Sequence, residues 1–123
     1  MNDIANFSIE EPRLKKLLQD IPKAKVGLIG DVCLDIYWYA DMTKSELSRE
    51  TPHFPLPVVK EVFSLGAAGN VASNISALQG KALHGVVSVI GEDWRGRELL
   101  RLFDKLGLPT DGLFTNPEMT TFT

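Results

Sequence analysis

Two short runs decide most of what this chain can fold into. Val26-Gly27-Leu28-Ile29 and, further on, residues 85–90 are built, apart from Ser88, from side chains that leave water readily. Each run stops at a glycine followed by acidic residues, Gly30-Asp31 in the first and Gly91-Glu92-Asp93 in the second. A strand wet on one side alternates apolar and polar residues, whereas an apolar run of this length reads as a strand covered on both faces. Segments of helical period follow or precede them. Leu14, Leu17, Leu18 and Ile21 recur on one face behind a capping-box pattern of Ser8 and Glu11. Val71, Ile75 and Leu78 do so ahead of Gly80, where a left-handed cap is usual, and Leu99, Leu102, Phe103 and Leu106 follow Asp93 as N-cap and end at Gly107. Leu113-Phe114 would open the next strand. Buried strands alternating with helices predict parallel βαβ units with right-handed crossovers.

One stretch departs from that rhythm. Tyr37-Trp38-Tyr39 and residues 58–63 have strand character, but Pro52, Pro55 and Pro57 between them lack backbone donors and forbid a central-sheet position. The expectation is an exposed flap or edge pair. There is no internal repeat, low-complexity tract or inter-domain linker, and Thr121-Phe122-Thr123 resembles the start of a strand.

Composition removes several classes of function. With 123 residues the chain is one domain or less, and 44% hydrophobic content is too high for a disordered chain. Thirteen basic against sixteen acidic residues, without a long same-sign run, argue against a nucleic-acid partner. No apolar run approaches the roughly 20 residues of a membrane-spanning helix, and the first eight residues lack the basic start and apolar stretch of a secretory signal. The single Cys33 cannot form an internal disulfide. Together these point to a cytoplasmic chain with no membrane partner. His53 and His84 have no metal-ligand spacing, and Cys33, after a buried strand, reads as a packed small hydrophobe.

Ligands of open α/β sheets bind beyond the carboxyl ends of the strands, where helix N-termini point free amides outward. Three motifs fall there. Gly30-Asp31-Val32-Cys33-Leu34-Asp35 sets two carboxylates after a flexible glycine, and an ionised carboxylate can orient two adjacent sugar hydroxyls. The plainer alternative has Asp31 capping a turn and Asp35 solvated. Gly66-Ala67-Ala68-Gly69-Asn70 is a run of tiny residues entering a helix, suited either to a ligand approaching the backbone or to close helix-strand packing, with Asn70 offering both a donor and an acceptor. Gly91-Glu92-Asp93-Trp94-Arg95-Gly96 is explained mostly by Asp93 as a cap, the lesser alternative being a ligand contact by Glu92 or Arg95. Neither G-x-G-x-x-G nor G-x-x-x-x-G-K-[ST] is present.

In this order the three motifs resemble the ribokinase (PfkB) family of carbohydrate kinases over nearly the whole chain from Lys25 onward. Gly30-Asp31-Val32-Cys33-Leu34-Asp35-Ile36-Tyr37 is similar to the G-D-x-x-L-D-x-Y of heptose 7-phosphate kinases, and Ser48-Arg49-Glu50-Thr51-Pro52 with Pro57-Val58-Val59 to their S-P-E-A-P-V-P-V segment. Ala67 stands where those kinases carry the second glycine of a Gly-Gly pair. The resemblance implies a three-layer αβα fold with a parallel central sheet and a small β lid at about 37–63, of which residues 1–123 are the N-terminal portion. It implies transfer of the ATP γ-phosphate, with Mg2+, to a hydroxyl of a sugar or sugar phosphate, a heptose 7-phosphate-like acceptor being favoured. By the same resemblance Asp35 holds sugar hydroxyls, Gly66, Ala67 and Asn70 form the sugar-binding turn, and Asp31 is a further contact. The aromatic run Tyr37-Trp38-Tyr39 suits equally stacking on a sugar face and burial against a second lid in a homodimer. The family's G-A-G-D motif, with its catalytic base, and its ATP-binding loops are expected in a C-terminal half, so no catalysis is expected from this chain alone. The alternatives are a non-catalytic sugar-binding or regulatory module and, with less support, a Rossmann-type nucleotide binder, which the missing glycine fingerprint disfavours.

Overall fold

A computed structural model describes residues 8–79 and 81–123. In chain order the elements are α1 (Glu11–Asp20), β1 (Val26–Ile29), β2 (Val32–Ala40), β3 (Val58–Ala67), α2 (Ala68–Leu78), β4 (Leu83–Gly91), α3 (Trp94–Lys105) and β5 (Leu113–Asn116), with 3-10 turns at Ile21–Lys23 and Met42–Lys44. The two apolar runs pair with each other. β1 lies parallel to β4 and β4 parallel to β5, giving the order β1-β4-β5. The flap is a separate ribbon in which β2 and β3 run antiparallel from Val32 opposite Ala67 to Ala40 opposite Val58. It is longer than the 37–63 expected, because strand geometry resumes only two residues after β1 and carries Asp35 inside a strand. The three prolines stay in the irregular stretch between the ribbon's strands.

α2 and α3 cover one face of the sheet and meet the base of the ribbon. Val32 and Leu34 from β2, Leu65 from β3, Ala72 from α2, Val86 and Ile90 from β4, and Leu99, Leu102 and Phe103 from α3 form one buried cluster with Leu83 and Leu108. Phe63 of the ribbon meets Trp94 of α3 edge to face at 6.1 Å between centroids. The expectation of cover on both faces is corrected here. Burial alternates along β1 and β4, and the side carrying Ile29 (82% exposed), Val87, Val89 and Phe114 has no layer over it among the described residues. The apolar pattern is that of a two-sided strand, and these residues furnish the cover for one side.

Helix α1 is also corrected in detail. Its N-cap is Glu10, which makes no side-chain capping bond, and Pro12 sits in the first turn, so Ser8 lies ahead of the N-cap position that the capping box requires. Its apolar face follows the predicted spacing, yet Leu14, Leu17, Leu18 and Ile21 are all exposed. Gly80 lies outside the described residues; the C-cap of α2 is Gln79. Gly107, at which α3 was expected to stop, takes the left-handed conformation, with φ of 64°.

The joint between β3 and α2 is strained. Ala67 closes the strand and caps the helix with φ 48° and ψ −126°, a combination that a Cβ disfavours and glycine adopts freely. Replacing Ala67 by Gly is expected to stabilise the chain by about 1 kcal/mol, the relief of a left-handed residue less the added chain entropy. Urea unfolding measures it, and a loss of stability would mean that the position does not hold positive φ.

Candidate functional site

The ribbon positions the first functional side chain. Alternation along β2 sends Val32 and Leu34 into the core and Cys33, Asp35 and Tyr37 to the other face. Directly across from Asp35 is Ser64, and beside it Gly66 pairs with Cys33. A side chain on Gly66 would run into the Asp35 carboxylate and the Cys33 sulfur, so a residue without a Cβ is required for Asp35 to lie where it does. The chain then enters α2, whose Gly69 is pressed against Leu65 and Val32, at 3.1 Å from where its own Cβ would stand. That contact fixes the rotation of the first turn and leaves Asn70 outside the core.

Asp35 and Asn70 line one cleft of about 360 Å³, together with Tyr37, Phe63, Ser64, Leu65, Ser73, Leu102, Lys105 and Leu106. Its size is at the lower end for small-molecule pockets, which run from about 300 to 1,000 Å³. A carboxylate, an amide, two serine hydroxyls and a phenol offer the mixed donors and acceptors that a polyol requires, over an apolar floor. Asp31 goes elsewhere. It lines a second cavity of about 250 Å³ with Ile29, Gly30, Val87, Ser88, Val89, Met119 and Phe122, and its carbonyl accepts the Ala68 N–H at 2.8 Å. Of the five residues singled out from sequence, then, Asp35 and Asn70 share a cleft, Gly66 makes room for Asp35, Ala67 forms the joint between β3 and α2, and Asp31 stands apart. Ser64, Ser73 and Lys105 were not anticipated. Ser64 follows from strand register and Ser73 from its i+3 relation to Asn70, whereas the arrival of Lys105 at this wall has no local signal.

The Cys33 thiol donates to Asp35 Oδ1 at 3.7 Å. Burial first, then the Asp35 charge and this hydrogen bond, push the thiol above its ordinary value of 9.0, so it is protonated at neutral pH and a poor nucleophile.

The third motif is structural. Asp93 Oδ1 accepts the Gly96 N–H at 2.8 Å, capping α3. The same carboxylate accepts the Thr121 N–H at 2.9 Å and its hydroxyl at 2.8 Å, while the Thr121 hydroxyl oxygen accepts the Gly91 N–H at 2.9 Å. Gly91 and Gly96 have no room for a Cβ, because the Thr121 and Gly91 backbones lie against them. Burial works against the Asp93 charge, but the Gly96 and Thr121 hydrogen bonds and the nearby Arg95 outweigh it and hold the carboxyl below the usual aspartate range. Glu92 is exposed, and Arg95 stacks on Trp94 at 4.9 Å and opens on a groove with Ile36, Trp38 and Thr123.

The donor set of the cleft does not make a site for Mg2+. No three His, Cys, Asp or Glu side chains converge among the described residues, and Asp35 is the single carboxylate in the cleft. No helix among the described residues is long and apolar enough to cross a membrane.

No family model matches the chain. Among curated proteins it is 40% identical over 95 residues to the bifunctional protein HldE of a Caulobacter species, covering 75% of this chain and 18% of that protein. It is 35% identical over 104 residues to the D-beta-D-heptose 7-phosphate kinase of Bordetella bronchiseptica, covering 82% of this chain and 31% of that one. Among solved structures, a fructokinase with bound ATP from Xylella fastidiosa matches with a TM-score of 0.55 at 21% identity, over 79% of this chain and 25% of that one. The Methanocaldococcus jannaschii nucleoside kinase, an archaeal member of the ribokinase family, matches with 0.53 at 20% identity, over 79% and 30%. The chain thus spans less than a third of the length of these proteins.

Two outcomes follow from the geometry. Asp93 has a depressed folded value, so its contribution is complete above the ordinary 3.8 and is lost as pH falls below that toward the folded value. Asp93→Ala should cost about 1–3 kcal/mol at neutral pH, through the lost cap and the orphaned Thr121 donors, with the gap to the parent narrowing only below that point in acid unfolding curves. Separately, Asp35→Asn should speed iodoacetamide labelling of Cys33 at about pH 8, because the charge that opposes the thiolate is gone. An unchanged rate would mean that the two side chains are not adjacent.

Proposed function

On the premise that the chain belongs to the ribokinase (PfkB) family of sugar kinases, matching the N-terminal part of its heptose 7-phosphate kinases, we propose that it is the acceptor-binding part of an ATP-dependent carbohydrate kinase. Its acceptor is a sugar or sugar phosphate of the heptose 7-phosphate type. The observation that carries this reading is the convergence of Asp35 and Asn70 on one cleft of sugar size.

In this reading Asp35 accepts hydrogen bonds from neighbouring hydroxyls, Asn70 supplies one donor and one acceptor, and Ser64 and Ser73 complete the polar wall. Tyr37, half exposed on the ribbon, covers the opening. The ribbon acts as a lid, and its exposed Tyr37, Trp38 and Tyr39 also offer a surface for a second copy. Orientation of the acceptor is the share of the reaction these residues supply. Phosphoryl transfer is accelerated mainly by positioning and by stabilising charge on the moving group, so a base and nucleotide-binding groups must come from residues other than these.

The test is calorimetric titration of the chain with neutral heptose. Asp35→Ala and Asn70→Ala should each weaken binding about tenfold or more, since a buried hydroxyl then lacks its partner, while circular dichroism stays unchanged. Binding as tight as the parent's in both variants would remove these residues from the site.

A further inference from the structure

The cleft has two charged residues in its lining, and they come from different parts of the fold. Asp35 lies on the ribbon, whereas Lys105 is the last residue of α3. The same lining includes the apolar side chains of Phe63, Leu65, Leu102 and Leu106. One turn earlier on α3, Arg101 is already neutralised: its Nε and Nη2 donate to the two Glu98 oxygens at 2.8 and 2.6 Å. Glu98 feels the Lys105 charge, but both its oxygens are engaged by Arg101. Among the described residues Lys105 has no ion-pair partner of its own.

We propose that Lys105 is a specificity-determining residue that receives the phosphate of a sugar phosphate whose hydroxyls are held by Asp35 and Asn70. The inference rests on the reading of the cleft as a sugar site and adds to it the residue that selects a phosphorylated acceptor over the neutral sugar. Charge fixes the orientation. A phosphate set beside Asp35 is repelled by the carboxylate, and hydroxyls set beside Lys105 leave a compact cation without an anion, so one arrangement satisfies both ends. Ser73, which lines the cleft from α2, supplies a hydroxyl donor to the same anion. Lysine is suited to this as a rotatable point charge with three donors. Because Lys105 is exposed, the contact is sensitive to salt.

The chain is titrated with heptose 7-phosphate and with heptose, at low and high ionic strength. The parent should prefer the phosphate ester, and that preference should shrink as salt is raised. Lys105→Gln should weaken the ester about tenfold and leave heptose unchanged, and Lys105→Arg should restore most of the ester binding. A role of Lys105 confined to the C-terminus of α3 would instead lower both affinities in parallel, or neither, and either result overturns the proposal. If Asp35→Ala abolishes heptose binding while Lys105→Gln leaves the preference for the ester intact, the sugar cleft stands and the role of Lys105 falls. A parent chain that binds neither ligand overturns both.

Discussion

The structure depends on how the first residues of β2 are seated. Val32 and Leu34 have no exposed surface, and their backbones are tied down as firmly as their side chains. The Val32 N–H donates to Ser88 Oγ at 3.1 Å on the central strand, and the Leu34 N–H donates to the Phe122 carbonyl at 2.8 Å. Because side chains alternate along a strand, this seating decides which face Asp35 takes one residue later. A slip of one residue would bury the carboxylate and expose a leucine. The cleft is therefore a consequence of core packing at the base of the ribbon, and its polar wall needs no separate device to hold it.

The glycine-rich segments divide between two kinds of work. Gly66 and Gly69 make room, the first for Asp35 and the second for the contact of α2 with the ribbon, and both bear on the cleft. Gly91 and Gly96 make room for Thr121, which Asp93 then holds with two of its hydrogen bonds. That second cluster fastens the last residues to the start of α3, which places Phe122 beside β2 and so supports the same base from the other side. Ala67 is the discordant position: its backbone has a geometry that glycine adopts freely, and its methyl group works against it.

Apolar surface is distributed unevenly. The sheet side bearing Ile29, Val87, Val89 and Phe114 and the apolar face of α1 are exposed, although both are patterned for burial. A strand sequence records how many sides it is meant to cover, and β1 and β4 record two. The described residues complete the helical layer on one side, in keeping with a chain that spans less than a third of proteins sharing its fold.

Local chemistry was enough to read much of this in the sequence. The apolar runs specified β1 and β4, leucine spacing specified α1 and α3, the prolines separated the ribbon from the sheet, and Asp93 and Gly107 marked the ends of α3. Asp35 and Asn70 were singled out by the resemblance to sugar kinases, since residue type and spacing alone suited a solvated carboxylate and close helix-strand packing equally well. Tertiary structure alone decided that these two share a cleft while Asp31 does not, since facing is set by the seating of β2 and by Gly69 on Leu65. It alone brought in Ser64, Ser73 and Lys105, which lie on three different elements. Their meeting depends on how a ribbon and two helices pack, and that is a sum of contacts distant in the chain, which no local pattern carries.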